Sequence, residues 1–132
     1  MTIPSIKGAI PYLRSEKAVE QLEFYKTAFG AVEHDRRPTP DGRLMHCHIE
    51  INGGSLMMSD SFPEHGYPFE GYKGVTLTVM VEDGQALWDR AMAAGCVANL
   101  PFETQFWGDR YGQLTDPFGV AWAVNEPGKA AV

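Results

Sequence analysis

Between Leu44 and Asn52 three side chains able to ligate a metal or move a proton recur at alternate positions: His46, His48 and Glu50. Side chains alternate between the two faces of an extended strand, so these three share a face. Two imidazoles and a carboxylate at that spacing suit a divalent cation if a further ligand arrives from a neighbouring strand, and Asp60 is the candidate. The spacing equally suits a metal-free polar face, with His46 turned to a cavity or a neighbour and His48 in solvent. A cavity-facing His46 would be the natural general acid or base, because imidazole exchanges protons near neutral pH. A second cluster, Trp107-Gly108-Asp109-Arg110-Tyr111, offers a planar guanidinium for a carboxylate or phosphate beside an indole wall. Its alternative reading is structural: Arg110 pairs with Asp109, Asp116 or Glu103 and braces a bend, with Trp107 in a core or interface. His46, Asp60 and Arg110 are thus the catalytic candidates. His34 and His65 stand alone and read as surface residues. Neither a GxSxG nucleophile turn nor a GxGxxG nucleotide turn is present.

The elements that must position these residues read as one series written twice. Ile6 to Leu13 suits a strand ended by Arg14 and Ser15, with Ser15 as N-cap of a helix. Val19, Leu22, Tyr25 and Phe29 recur at helical spacing, and Gly30 stops that helix. Strands follow over Ala31 to Arg37, Arg43 to Asn52 and Ser55 to Asp60, with a tight turn at Gly53-Gly54. A long loop, Ser61 to Gly74, carries Phe62, Tyr67, Phe69 and Tyr72. Val75 to Glu82 is the next strand. Asp83 caps a helix through Ala94, with Leu87, Ala91 and Ala94 on one face and Trp88 and Met92 on another. Strands near Val97–Phe106, Arg110–Thr115 and Val120–Asn125 complete the chain, the last opened by the Asp116-Pro117-Phe118-Gly119 turn.

The two series are offset by a constant interval. Gly30 and Gly95 end the helices 65 residues apart, and Gly54 and Gly119 precede the last strands 65 apart. Module one is therefore about 1–60, the connecting loop about 61–74, and module two about 75–126. Each half leaves an apolar sheet face to cover, so the halves pack together or against a second copy.

The paired strand–helix–three-strand pattern, the segment FYKTAFGA (Phe24 to Ala31) and the run QFWGDRYGQLTDPFG from Gln105 resemble the vicinal oxygen chelate superfamily. This is the glyoxalase, bleomycin-resistance and extradiol-dioxygenase group, and the PhnB-like subgroup is the nearest likeness. The resemblance covers nearly the whole chain. It implies an α+β fold in which two βαβββ modules form a curled mixed sheet around a cavity, commonly as a homodimer. In metal-using members, four inward side chains on the first and last strand of each module hold a divalent cation. Counting from the helix and glycine landmarks, those positions fall at Ile10, Thr76, Met58 and Ala123. None is a customary ligand for a hard divalent metal. The expectation is therefore no metal and no cofactor.

Bulk properties narrow the rest. The chain has 132 residues, 44% of them hydrophobic, and a net charge of −6. That is one ordinary globular domain, and its acidic balance argues against nucleic acid. No apolar run reaches the length of a membrane span, so a cytoplasmic protein is expected. Cys47 and Cys96 read as buried reduced thiols. Two functions stay open. One is a metal-independent protein that binds a small molecule in a pocket lined by Ile10, Met58, Thr76, Trp107, Arg110, Trp122 and Ala123 and closed by the aromatic loop. The other is an enzyme using His46, with Asp60 or Arg110, with or without a relocated metal.

Overall fold

A computed structural model describes residues 7–128. The chain divides into two compact units, Met1–Glu70 and Gly71–Val132. Unit 1 runs β1 (Tyr12–Ser15), α1 (Ala18–Phe29), β2 (Val32–Pro38), β3 (Leu44–Ile51) and β4 (Gly54–Asp60). Unit 2 repeats the series as β5 (Thr76–Met80), α2 (Gly84–Ala94), β6 (Val97–Thr104), β7 (Arg110–Thr115) and β8 (Ala121–Glu126). The sheets have matching orders, β1-β4-β3-β2 and β5-β8-β7-β6. In each, the first strand lies parallel to the last and the other pairs are antiparallel. This is the α+β arrangement of two βαβββ modules that the pattern predicts. Among the described residues no helix is long and apolar enough to cross a membrane.

In unit 1, Leu22, Tyr25 and Ala28 of α1 are fully buried, as are Cys47, Ile49 and Met58 of the sheet. A chain of polar contacts runs through this core: Ser15 Oγ donates to Gln21 Oε1 (2.6 Å), and Gln21 Nε2 donates to the Tyr25 hydroxyl (2.8 Å). Buried polar groups are tolerable when partnered in this way. The start of α1 departs from the expected local cap. Lys17 is the N-cap residue and its side chain makes no capping bond. Ser15 Oγ instead accepts from Lys17 N (2.9 Å), and Asp60 Oδ1 accepts from Ala18 N (2.9 Å). Asp60 Oδ2 also accepts from Leu44 N (2.7 Å). A carboxylate at the end of β4 thus serves the positive end of α1, where the first amides lack helical partners. The first strand starts later than the sequence pattern suggests, at Tyr12, and Ile6 lies outside the described residues. Its usable length is set by parallel pairing with β4, which runs from Tyr12↔Met57 to Ser15↔Asp60.

Unit 2 replaces polar anchoring with aromatic packing. The buried stripe of α2 is Gly84, Trp88 and Ala91, one register away from the expected Leu87–Ala91–Ala94 face. Trp88 stacks on Phe102 (centroids 5.8 Å). Gly112 sits beneath them: a Cβ there would lie 2.8 Å from Phe102 Cα and 2.8 Å from the Trp88 ring. The helix starts with Asp83 accepting from Ala86 N (3.1 Å), while Glu126 Oε1 accepts from Gly84 N (2.8 Å).

The repeat interval changes along the chain. Leu13↔Met58 in unit 1 matches Val79↔Val124 in unit 2, both buried pairs 66 residues on. The helix-ending glycines are 65 apart because α2 has 11 residues and α1 has 12. The turns into the last strands also differ. The β3–β4 turn is Asn52-Gly53 (φ 51° and 79°), not Gly53-Gly54, whereas residues 116–120 separate β7 from β8. An equal count past Gly54 and past Gly119 therefore lands on opposite sheet faces.

Candidate functional site

Each strand of unit 1 has one face toward α1 and one away from it. Leu13, Ser15, Cys47, Met58 and Asp60 face the helix, since Ser15 and Asp60 bond to its first turn and the others share their register. Tyr12, Arg14, His46, His48, Met57 and Ser59 occupy the alternate positions and face away. Over this second face the loop after β4 folds back. Phe62 and Tyr67 close a two-residue bridge (N···O 2.7 and 2.9 Å) around the short 3-10 turn Pro63–His65. Arg43 fastens the loop: Nη2 meets Glu64 Oε2 at 2.6 Å, and its guanidinium lies 4.2 Å from the centre of the Phe62 ring. That ion pair holds the Glu64 carboxyl down to about 2.

Between sheet and loop is a cavity of about 490 Å³, lined by Tyr12, Arg14, Thr39, Met45, Ser59, Phe62, His65 and Tyr67. Arg14 Nη1 donates to Pro68 O (3.2 Å), and the guanidinium stands 5.1 Å from the centre of the Tyr67 ring. Tyr12 Oη and His46 Nδ1 are hydrogen-bonded at 2.9 Å. Burial raises the pKa of the Tyr12 hydroxyl, against a hydrogen bond from Ser59 that lowers it. Met45 enters the lining because β3 bulges against β2: His46 pairs with Arg37 and Leu44 with Pro38, leaving Met45 as the extra residue.

The candidate residues separate. His46 is on the open face, bonded to Tyr12, while Asp60 is 5% exposed and committed to two backbone amides behind the same sheet. These two do not meet. Arg110 belongs to unit 2, where Nη2 donates to Gln85 Oε1 (2.7 Å), Nη1 lies 3.9 Å from Glu126, and the guanidinium packs 4.6 Å over Phe102. Its partners differ from the expected Asp109, Asp116 and Glu103. Asp109 accepts instead from Gly128 N (2.8 Å) and Asn125 Nδ2 (3.1 Å), which lower its pKa. Arg110, Glu82, Glu126, Pro127, Gly108 and Gly128 line a cleft of about 410 Å³. Met58 and Trp122 are buried on the helix sides of their sheets, and Trp122 Nε1 donates to Asp116 Oδ2 (2.9 Å). Ile10 precedes β1, Thr76 and Ala123 lie on the face of the second sheet away from α2, and Trp107 is 46% exposed, edge-on to Phe106 and Tyr111.

His65 is exposed, as a surface reading implies, but His34 and His48 are not. His48 is buried and hydrogen-bonds Ser55 Oγ (2.8 Å); burial, then the neighbouring His34 and His46, lowers its pKa. His34 Nε2 contacts Glu50 Oε1 (3.1 Å), with its Nδ1 buried and lacking a partner among the described residues. Even so, no group of three or more His, Cys, Asp or Glu among the described residues is placed to hold a metal ion. On the open faces the first and last strands present Tyr12, Arg14, Met57 and Ser59, and Thr76, Thr78, Ala123 and Asn125. That donor set does not fit a divalent metal site.

Sequence reasoning singled out the aromatic loop but missed Tyr12, Arg14, Ser59, Thr39 and Met45. Starting the first strand at Tyr12 would have separated Tyr12 and Arg14 from Leu13 and Ser15 by alternation. The bulge at Met45 has no comparable signal.

Comparisons with known proteins place this geometry. The family described as the Glyoxalase/Bleomycin resistance protein/Dioxygenase superfamily matches residues 13–124. The uncharacterized protein Rv0887c of Mycobacterium tuberculosis is 39% identical over 123 residues, covering 89% of this chain and 72% of that protein. Protein PA1353 of Pseudomonas aeruginosa superposes with a TM-score of 0.76 at 29% identity, covering 92% of this chain and 98% of that one. A PhnB protein of Bacillus cereus, described as a putative 3-demethylubiquinone-9 3-methyltransferase, gives 0.73 at 20% identity, covering 92% and 100%.

Proposed function

The chain belongs to the glyoxalase/bleomycin resistance protein/dioxygenase superfamily, and from that premise we propose that unit 1 binds a small molecule without a resident metal. The cavity beneath the Phe62–Tyr67 loop carries this reading. Its volume, about 490 Å³, lies within the roughly 300–1,000 Å³ of ligand pockets. Three aromatic rings and Met45 offer flat and adaptable apolar surface, and a few polar groups give orientation. Calorimetric titration of the whole chain with a panel of planar amphipathic molecules tests it. Binding should weaken about tenfold in Phe62→Ala and in Tyr67→Ala, the scale of one lost aromatic contact. Protein purified without chelator or tag should hold well under one divalent ion per chain by elemental mass spectrometry. One tightly held ion per chain, or binding indifferent to both substitutions, defeats the proposal.

One observation favours a second reading, an enzyme with His46 as acid or base. The Tyr12–His46 hydrogen bond couples a hydroxyl in the cavity lining to an imidazole behind it. His46→Ala separates the two readings: it leaves affinity within a few-fold under the first and abolishes turnover under the second. The family's habit supports a homodimer, which sedimentation equilibrium would test.

A further inference from the structure

We infer that the cavity of unit 1 selects a planar ligand bearing an anionic group, an aromatic carboxylate in type, with Arg14 recognising the charge. The inference rests on the cavity being a binding site and specifies what it takes. Aspartate and glutamate number 17 in this chain against 11 lysines and arginines, yet none of the eight lining residues among those described is acidic. Two carboxylates adjacent in sequence to lining residues are directed elsewhere. Asp60 follows Ser59 on β4 but faces α1, and both its oxygens accept from backbone amides. Glu64 neighbours the lining residue His65 but is tied to Arg43, which also holds Asp41 at 2.7 Å.

Arg14 is placed to read a charge. It stands on a paired strand, and its guanidinium bridges sheet and loop through Pro68 O and the Tyr67 ring. A guanidinium keeps its charge at every working pH and its N–H groups match the two oxygens of a carboxylate. Stacked against an aromatic face, it remains oriented before the ligand arrives. Tyr12, Phe62 and Tyr67 around it present ring surface to a flat ligand body. A cationic ligand would meet Arg14 in a lining whose described residues include no carboxylate, so the lining discriminates against it as well as in favour of the anion.

Three matched probes test this on the whole chain: 2-naphthoate, 2-naphthamide and 2-naphthylmethylammonium, titrated calorimetrically at neutral pH. Naphthoate should bind about tenfold or more tighter than the amide, and the ammonium should bind weakest, the scale of a charge-assisted contact. Arg14→Gln should bring naphthoate down to the amide's affinity, and Arg14→Lys should retain part of the preference. Tyr67→Ala should weaken all three while preserving their order. If Arg14→Gln does not fold, the order of the three probes on the unaltered chain decides. Ammonium binding as tightly as naphthoate, or a preference that survives Arg14→Gln, overturns the charge assignment and leaves the binding site standing. Failure of all three probes to bind removes the site and this inference together.

Discussion

The two units share a strand order and differ in what fills it. Unit 1 joins helix to sheet through buried polar contacts: Ser15 to Gln21, Gln21 to Tyr25, and Asp60 to Ala18 and Leu44. Unit 2 joins them through rings, with Trp88 on Phe102 over a glycine at position 112. A polar device is shared at equivalent places: the carboxylate at the end of the last strand, Asp60 or Glu126, each accepting from the first amide of its helix. Unit 1 also carries the loop that closes a cavity over its open face, while the cleft of about 410 Å³ in unit 2 surrounds an arginine already bonded to Gln85. A repeated frame therefore does not imply a repeated site. The frame depends on backbone pairing and the two carboxylates; the open faces are free to diverge.

Removing the shared carboxylate from each unit should break the equivalence most sharply. Asp60→Ala strands two amides in a buried setting and should cost about 3 kcal/mol, read from urea unfolding. One buried thiol in each unit localises the damage. Burial pushes Cys47 up to about 11 and Cys96 up to about 12, so both stay protonated at pH 8 and alkylate only when their surroundings open. In Asp60→Ala, iodoacetamide should label Cys47 faster while Cys96 changes little; equal acceleration of both would refute the local role.

Gly112→Ala should come next, at about 2 kcal/mol, because the new methyl meets backbone that cannot swing aside. It should speed labelling of Cys96 selectively. Glu126→Ala should cost about 1 kcal/mol, since it loses one amide bond at a half-buried position and Asp83 still caps α2. A loss equal to that of Asp60→Ala would show that the two carboxylates carry the same weight after all. The smallest effect is expected from acid on the Arg43–Glu64 tie. The folded-state carboxyl titrates below its ordinary 4.5, so its contribution is complete above about 4.5 and is lost as the pH falls toward about 2. Glu64 is exposed and Arg43 partly so, and the loss is modest. Amide protection at Phe62 and Tyr67 should decline over that window, and Glu64→Gln should flatten the decline.

Much of this frame could be read from the chain. Helical spacing located α1 and α2 because each buries a stripe, and Gly30 and Asp83 marked their ends by conformational needs that few residues meet. The shared face of His46, His48 and Glu50 followed from alternation alone. Asp60 was misjudged because its partners, Ala18 and Leu44, are 42 and 16 residues away, and no local rule reports a cap supplied from that distance. Met58 and Ala123 were reached by counting from glycines, and the equal count lands them on opposite sheet faces because the two turns differ in length. Arg14 was taken for a strand end; pairing with β4, which the pattern cannot register, makes it part of an open face.

The cap on α1 has a consequence for the order of events as the chain is made. Lys17 offers that helix no side-chain bond, and the carboxylate that does is at position 60, at the far end of β4. During synthesis α1 emerges without its cap and must wait for the rest of unit 1. Asp83, by contrast, leaves the ribosome directly ahead of the helix it caps. The second helix can gain structure on emergence; the first is completed only when its last strand arrives, so unit 1 matures as a single late step.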